Sequence, residues 1–173
     1  MQILALNGSA RKRGNTDILI DQILKGSKRG KHTTQKLYLY DYEILPCMDC
    51  RDCKKGDYVC TLNDGMKKIY PKMEKADLII FGTPNYWNGP TGKMKLLIDR
   101  MRPFVPSRKL KGKKWVVVSP SGEGPNSCRL LVEMFHLLAR EPVEGRPVEA
   151  LPRVLRGGAG APSHDPTRGA GYV

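Results

Sequence analysis

Gln2-Ile3-Leu4-Ala5-Leu6-Asn7-Gly8-Ser9-Ala10-Arg11-Lys12-Arg13-Gly14-Asn15-Thr16 lies almost at the start of the chain and sets the reading of the rest. Gln2 to Leu6 is a short apolar strand that ends in Asn7-Gly8-Ser9. A basic, Gly-containing loop follows. Asn15-Thr16 then caps a helix whose apolar face includes Ile20, Ile23 and Leu24. Lys25, Lys28 and Arg29 fall in its last turn and Gly30 ends it, as a helix dipole and C-cap favour.

The same unit recurs along the chain. Thr34 to Tyr40 alternates, with Leu37 and Leu39 on one face, as a half-buried strand does. Met66, Ile69, Tyr70 and Met73 mark a short helix, and Pro71 within it predicts a kink or an early end. Ala76 to Gly82 and Trp115 to Val118 read as buried strands. Met94, Leu97, Ile98 and Met101 stripe one further helix, and Leu131, Met134, Phe135 and Leu138 another. Four strand–helix alternations imply an α/β chain with a parallel sheet wrapped by helices on both faces. Ligands in such folds bind at the strand carboxyl ends, so the candidate loops are Ser9–Thr16, Thr83–Thr91 and Ser119–Ser127.

The 173 residues suit one domain. The longest tract of large apolar side chains, Leu78-Ile79-Ile80-Phe81, is far short of a membrane span. No signal peptide is evident, so a soluble, cytoplasmic protein without a membrane partner is expected. Net charge is +13, which suggests an anionic partner. Residues 1–139 carry the recognisable pattern and nearly all of that excess. Residues 140–173 are rich in Pro, Gly and Arg and lack any apolar period. They read as a disordered extension or as an aberrant ending, by truncation or frame error, that replaces the fifth strand and last helix.

The first loop pairs the hydroxyls of Ser9 and Thr16 with two arginines and a helix start, which suits a phosphate. It lacks the Gly-Lys-Ser/Thr ending of a nucleotide-triphosphate loop and the Gly-x-Gly-x-x-Gly of a dinucleotide fold. A terminal phosphomonoester, as on FMN, fits better than a pyrophosphate; a plain capped turn is the alternative. In the second loop, Pro84, Asn85, Tyr86, Trp87 and Asn88 put two aromatics and two amides where they can flank a planar ring or simply pack under the loop. The third, with Gly122, Glu123 and Gly124, lets backbone approach a ligand closely.

Cys47-x2-Cys50-x2-Cys53-x6-Cys60 is the sharpest signal. Structural zinc usually takes two Cys-x2-Cys pairs across a longer insert. Three cysteines at successive x2 spacings with a fourth nearby are closer to the wrap of a [4Fe–4S] cluster. Zinc and free redox thiols remain alternatives. Cys128 stands apart as a small buried residue.

These features resemble the NADPH-dependent FMN reductase family. The resemblance rests on the Asn7–Thr16 loop, the Pro46-Cys47 four-cysteine segment, Ala76-Asp77, the Thr83–Trp87 loop and Ile98-Asp99-Arg100. The compact cysteine motif resembles its iron–sulfur flavoprotein branch. The resemblance implies a flavodoxin-like, doubly wound, three-layer α/β/α sheet with FMN at the strand ends. Ser9, Arg11, Asn15 and Thr16 would then hold the phosphate. Pro84 to Asn88 would line the isoalloxazine ring, with Gly122, Glu123 and Gly124 on its other side. Cys47, Cys50, Cys53 and Cys60 would ligate a [4Fe–4S] cluster near the flavin, often at a subunit interface, hence a homo-oligomer. The cysteine gap of six exceeds the five expected in the branch, and Asp64-Gly65-Met66 replaces an acidic pair.

The expected function is an FMN oxidoreductase or electron carrier. Its donor would be NAD(P)H or a redox protein, and its acceptor a small molecule or another protein. A quinone-type FMN reductase without a cluster is the nearest variant. A zinc-stabilised nucleic-acid-binding module would explain the charge and cysteines, but no interleaved basic and aromatic stripe supports it.

Overall fold

The computed structural model describes residues 1–122, 124–140 and 146–147. Its strands are β1 (Gln2–Asn7), β2 (Thr33–Tyr38), β3 (Leu78–Gly82), β4 (Lys114–Val118) and β5 (Arg146–Pro147). All pair in parallel in the order β2-β1-β3-β4-β5, the flavodoxin-like order. The register sets Asn7 beside Tyr38 on one side and Gly82 on the other, and Gly82 beside Val118. The carboxyl ends of four strands are thereby level, and chain order reverses between β1 and β3.

Helices α1 (Asn15–Ser27), α2 (Met66–Lys75), α3 (Gly92–Asp99), α4 (Phe104–Ser107) and α5 (Arg129–Arg140) cover the sheet. Strand side chains alternate between faces. Leu4, Leu6, Ile79, Phe81 and Trp115 face a core shared with α2 to α5. Phe81 stacks at 5.1 Å from Trp115 and 5.3 Å from Phe135, ring centre to centre. Ile3, Ala5, Ile80 and Val118 face the other way, onto Ile20 and Leu24 of α1. This is the three-layer arrangement.

Three expectations need correction. The first helix is capped by Gly14, not by Asn15-Thr16, and that cap makes no side-chain hydrogen bond. Asn15 and Thr16 instead begin the helix proper. Helix α2 runs through Pro71 without ending there. Pro71 and Lys67, whose carbonyl loses a partner, are both exposed, so water can serve that carbonyl while Ile69 and Met73 anchor the buried face. Strand β4 is less buried than its apolar run implied. Val116 and Val117 are only half-buried, and among the described residues two pair along its outer edge. Those two residues, β5, take the fifth position of the sheet among the described residues. The expected tail over residues 140–173 lies almost wholly outside the described residues. No described helix is long and apolar enough to cross a membrane.

Candidate functional site

The three loops singled out by sequence meet at the strand carboxyl ends. Gly8 N–H donates to the Gly82 carbonyl at 2.7 Å, and Thr83 N–H to that of Val118 at 2.9 Å. Thr91 fastens the first loop to the second. Its hydroxyl donates to the Gly8 carbonyl at 2.7 Å and accepts from Met94 N–H, which caps α3. Asn85 fastens the second to the third, donating to the Ser127 carbonyl at 2.9 Å. Gly8 is required here, since a Cβ on it would stand 2.9 Å from Met94 Cβ.

The first loop is held from beneath by Asp17, a residue the sequence reading missed. The residue is 2% exposed. It accepts from Asn7 Nδ2 (3.1 Å), Arg13 N–H (2.7 Å), Lys36 Nζ (2.7 Å) and the Tyr38 hydroxyl (2.9 Å). Asn7 Oδ1 in turn accepts from Ser9 N–H, and Ser9 Oγ accepts from Arg11 N–H. Gly14 N–H bonds the Arg11 carbonyl. The N–H groups of Ser9, Arg11, Arg13 and Gly14 are thus engaged. Those of Ala10, Lys12, Asn15 and Thr16 have no partner among the described residues, and the last two point out of a helix start. Ser9 is 7% and Thr16 2% exposed, while Arg11 and Asn15 are exposed.

In the second loop, Tyr86 and Gly89 exchange backbone hydrogen bonds of 2.8 and 3.0 Å. Trp87 and Asn88 at the tip are both left-handed, at φ 49° and 63°. Trp87 is fully exposed and Tyr86 half so. This settles one alternative: Trp87 does not pack under the loop. Pro84 and Asn85 are half-buried, and the buried Asn85 Oδ1 has no hydrogen-bond partner. In the third loop Gly122 is exposed and Gly124 is left-handed at φ 86°, while Glu123 lies outside the described residues. An unsatisfied buried carbonyl, unspent N–H groups and an uncovered indole at one end of the sheet are a fitting lining for a phosphorylated planar heterocycle such as FMN.

The cysteine segment leaves the carboxyl end of β2 and returns to α2. Cys47 and Cys50 are exposed, Cys60 is half-buried and Cys53 is buried, all unpaired. No three His, Cys, Asp or Glu side chains form a closed metal-binding group among the described residues. The chemistry of the donor set nevertheless suits a metal. Burial pushes the Cys53 thiol up, and Cys60, Cys47 and Cys50 push it further against the opposing charge of Arg102, so the other three cysteines all lie within electrostatic reach of Cys53. The backbone winds tightly, with left-handed Asp49, Arg51, Gly56 and Tyr58. A groove of about 730 Å³ opens beside it, lined in part by Cys47, Lys54, Met101 and Arg102.

The roots of this segment are pinned by a second buried ion pair that the sequence did not reveal. Arg100 and Asp64 side chains are 1% and 0% exposed and paired directly. Arg100 also donates to the Leu45 carbonyl at 2.8 Å, and Asp64 accepts from the N–H groups of Leu45 and Met66 at 2.8 and 2.9 Å. Entry and exit of the cysteine segment are therefore tied to each other and to the end of α3.

Eleven of the 30 Lys and Arg lie away from this site. Lys25, Lys28, Arg29 and Lys31 precede β2, Lys72 and Lys75 precede β3, and Arg108-Lys109-Leu110-Lys111-Gly112-Lys113-Lys114 leads into β4. Parallel strands put these segments at the amino ends, opposite the loops. Several sit at helix carboxyl ends, where the dipole favours cations. Nearer the site, Arg11, Lys12 and Arg13 stand in the first loop, and Lys54 and Arg102 line the groove beside Cys47.

Burial raises the Asp17 and Asp64 carboxyls, but Lys36 and Arg100 with the surrounding N–H groups outweigh it and hold both below the ordinary 3.8. A lowered folded pKa stabilises the fold above the unfolded value and loses that contribution as pH falls through the folded one. Unfolding temperature is therefore expected to hold from pH 7 to about pH 4 and to drop below it, less steeply in Asp64→Asn. Melting curves from pH 7 to 3 check this; the same acid slope in the variant would contradict it.

The model of the NADPH-dependent FMN reductase family matches residues 1–149, a span that takes in β5. The chain belongs to that family. Among its relatives, an iron-sulfur flavoprotein of Archaeoglobus fulgidus is 44% identical over 102 residues, covering 59% of this chain and 49% of that one. An iron-sulfur flavoprotein of Methanocaldococcus jannaschii is 34% identical over 79% of this chain and 70% of its own length. The chain spans about half the length of the A. fulgidus relative. The flavoenzyme NAD(P)H:(acceptor) oxidoreductase FerB of Paracoccus denitrificans has a TM-score of 0.62 at 20% identity, over 87% of this chain and 76% of that one. A flavodoxin, WrbA-like protein of Agrobacterium tumefaciens reaches 0.56 at 19%, over 83% and 74%. Both show the shared fold of this FMN reductase family member.

Proposed function

We propose that the chain is an FMN-dependent oxidoreductase of the iron–sulfur flavoprotein kind. It would move electrons between a reduced donor, either NAD(P)H or a redox protein, FMN and a [4Fe–4S] cluster. The observation that carries the flavin half is the set of unspent N–H groups at Ala10, Lys12, Asn15 and Thr16, at the same end of the sheet as the unpartnered Asn85 Oδ1. Ser9, Arg11, Asn15 and Thr16 hold the phosphate. Pro84, Asn85, Tyr86, Trp87 and Asn88 line the ring, with Gly122, Glu123 and Gly124 across from them.

Cys47, Cys50, Cys53 and Cys60 hold the cluster; the names of the relatives and the compact spacing of four unpaired cysteines support this half. When bound, the two cofactors supply the hydride and single-electron chemistry, and the chain supplies orientation and a charge environment. The acceptor is a small molecule or protein. Unpaired cysteines suit a reducing, cytoplasmic setting, and the exposure of Cys47 and Cys50 suits closure against a second copy.

A reductase without a cluster is the second reading, favoured by the open arrangement of the thiols. Absorption spectra with flavin, iron and zinc analysis of anaerobically purified protein decide between them. Flavin with iron is expected. Flavin alone would leave the reductase, and zinc without flavin would overturn both readings.

A further inference from the structure

We propose that Asp17 is a positioning residue that shapes the first loop for a phosphate and so makes the chain select FMN over unphosphorylated riboflavin. This rests on the reading of that loop as the FMN phosphate site.

The argument is one of donors and acceptors. An ionised carboxylate only accepts hydrogen bonds. Asn7 must therefore turn its NH2 toward Asp17 (3.1 Å), and its oxygen is then left to take Ser9 N–H (2.9 Å). Ser9 Oγ, fixed in turn, takes Arg11 N–H at 3.2 Å. The other Asp17 oxygen takes Arg13 N–H at 2.7 Å and holds that residue in the left-handed region, at φ 62°. One buried carboxylate thus dictates which loop N–H groups turn inward and which remain for a ligand. Asp17 is the third residue of α1 and reaches back past the cap, much as the acidic member of a capping box does.

A carboxylate beneath a phosphate site needs its charge cancelled. Lys36 does this at 2.7 Å with its side chain 17% exposed, and the Tyr38 hydroxyl adds a donor. Both project from β2, so the loop is braced against the sheet rather than against itself. Asp21 shares Lys36 from the α1 surface. A site braced this way meets the phosphate without having to reorganise.

The test titrates FMN and riboflavin, by flavin fluorescence, into the apo form of the full chain and of Asp17→Asn. The variant keeps the size of the side chain but turns one acceptor into a donor. The expected result is an FMN Kd raised roughly tenfold or more with riboflavin affinity unchanged. An FMN Kd within about twofold of the parent's, or equal losses for both flavins, would overturn the role of Asp17. A parent chain that binds FMN and riboflavin alike would instead sink the phosphate-site reading itself. If Asp17→Asn does not fold, Tyr38→Phe decides. A selective FMN loss of roughly threefold supports the proposal and no change overturns it.

Discussion

Arg100→Met is expected to remove roughly 3–5 kcal/mol of unfolding free energy, the largest effect of any single substitution considered for this chain. The reason is what it leaves behind. Asp64 is fully buried, and without Arg100 its charge has only the N–H groups of Leu45 and Met66 for compensation. The Leu45 carbonyl loses its donor as well. Set against a typical stability of about 5–15 kcal/mol, such a loss brings the variant close to unfolding at ambient temperature.

Asp64→Asn with Arg100→Met is expected to recover part of the loss, since the amide keeps an acceptor and removes the stranded charge. Urea unfolding of the parent, the single variant and the double variant checks both statements. A single-variant loss under about 1 kcal/mol would mean that the pair behaves as though it were solvated. Recovery in the double variant is what separates a buried charge from a mere loss of packing by the Arg100 side chain.

The pair also shows where reading a sequence stops. Asp64-Gly65-Met66 and Ile98-Asp99-Arg100 both stand out in the sequence, yet nothing along the chain joins residues 36 apart. The sheet was legible because it rests on periodicity, a local property. Leu78 to Phe81 can only be a buried strand, and the turns after Asn7, Gly82 and Val118 follow from parallel pairing. Asp17 was hidden for the same reason as Arg100. Its donors come from Asn7, Arg13, Lys36 and Tyr38, on two strands and a loop, and an acidic residue in a first helical turn ordinarily reads as dipole compensation.

Gly14 is the cap in place of Asn15, and Asp17 accepts from Arg13 N–H from inside the helix. Pro71 misled in the opposite direction: a local rule was outweighed by a buried face it could not see. The half-buried state of Val116 and Val117 depends on what the rest of the chain lays over β4, which no window within β4 reports.

Cys53→Ser is expected to strip the iron from the chain while leaving the flavin. Cys53 sits on a single turn of 3-10 helix, Asp52–Lys54, introduced by left-handed Arg51. It is the one buried member of the four-cysteine segment. As a free thiol it would be poorly reactive, because burial first, and then the charge of its neighbours, disfavours the thiolate. A metal reverses that balance: it binds the thiolate, displaces the proton and turns mutual repulsion of the sulfurs into shared attraction.

The parent should therefore carry about four irons per chain, and Cys53→Ser fewer than about one. Cys128→Ser is the control. That cysteine is also buried, but its thiol donates to Ser119 Oγ at 3.7 Å in the third loop and stands apart from the segment. Its iron content should match the parent's. Iron retained in Cys53→Ser would overturn the ligand assignment. Equal losses in both variants would trace the effect to general damage rather than to ligation. Flavin measured in the same samples keeps the two halves of the site separate, because the first and second loops are tied to each other through Gly8 and Thr91, not through the cysteine segment.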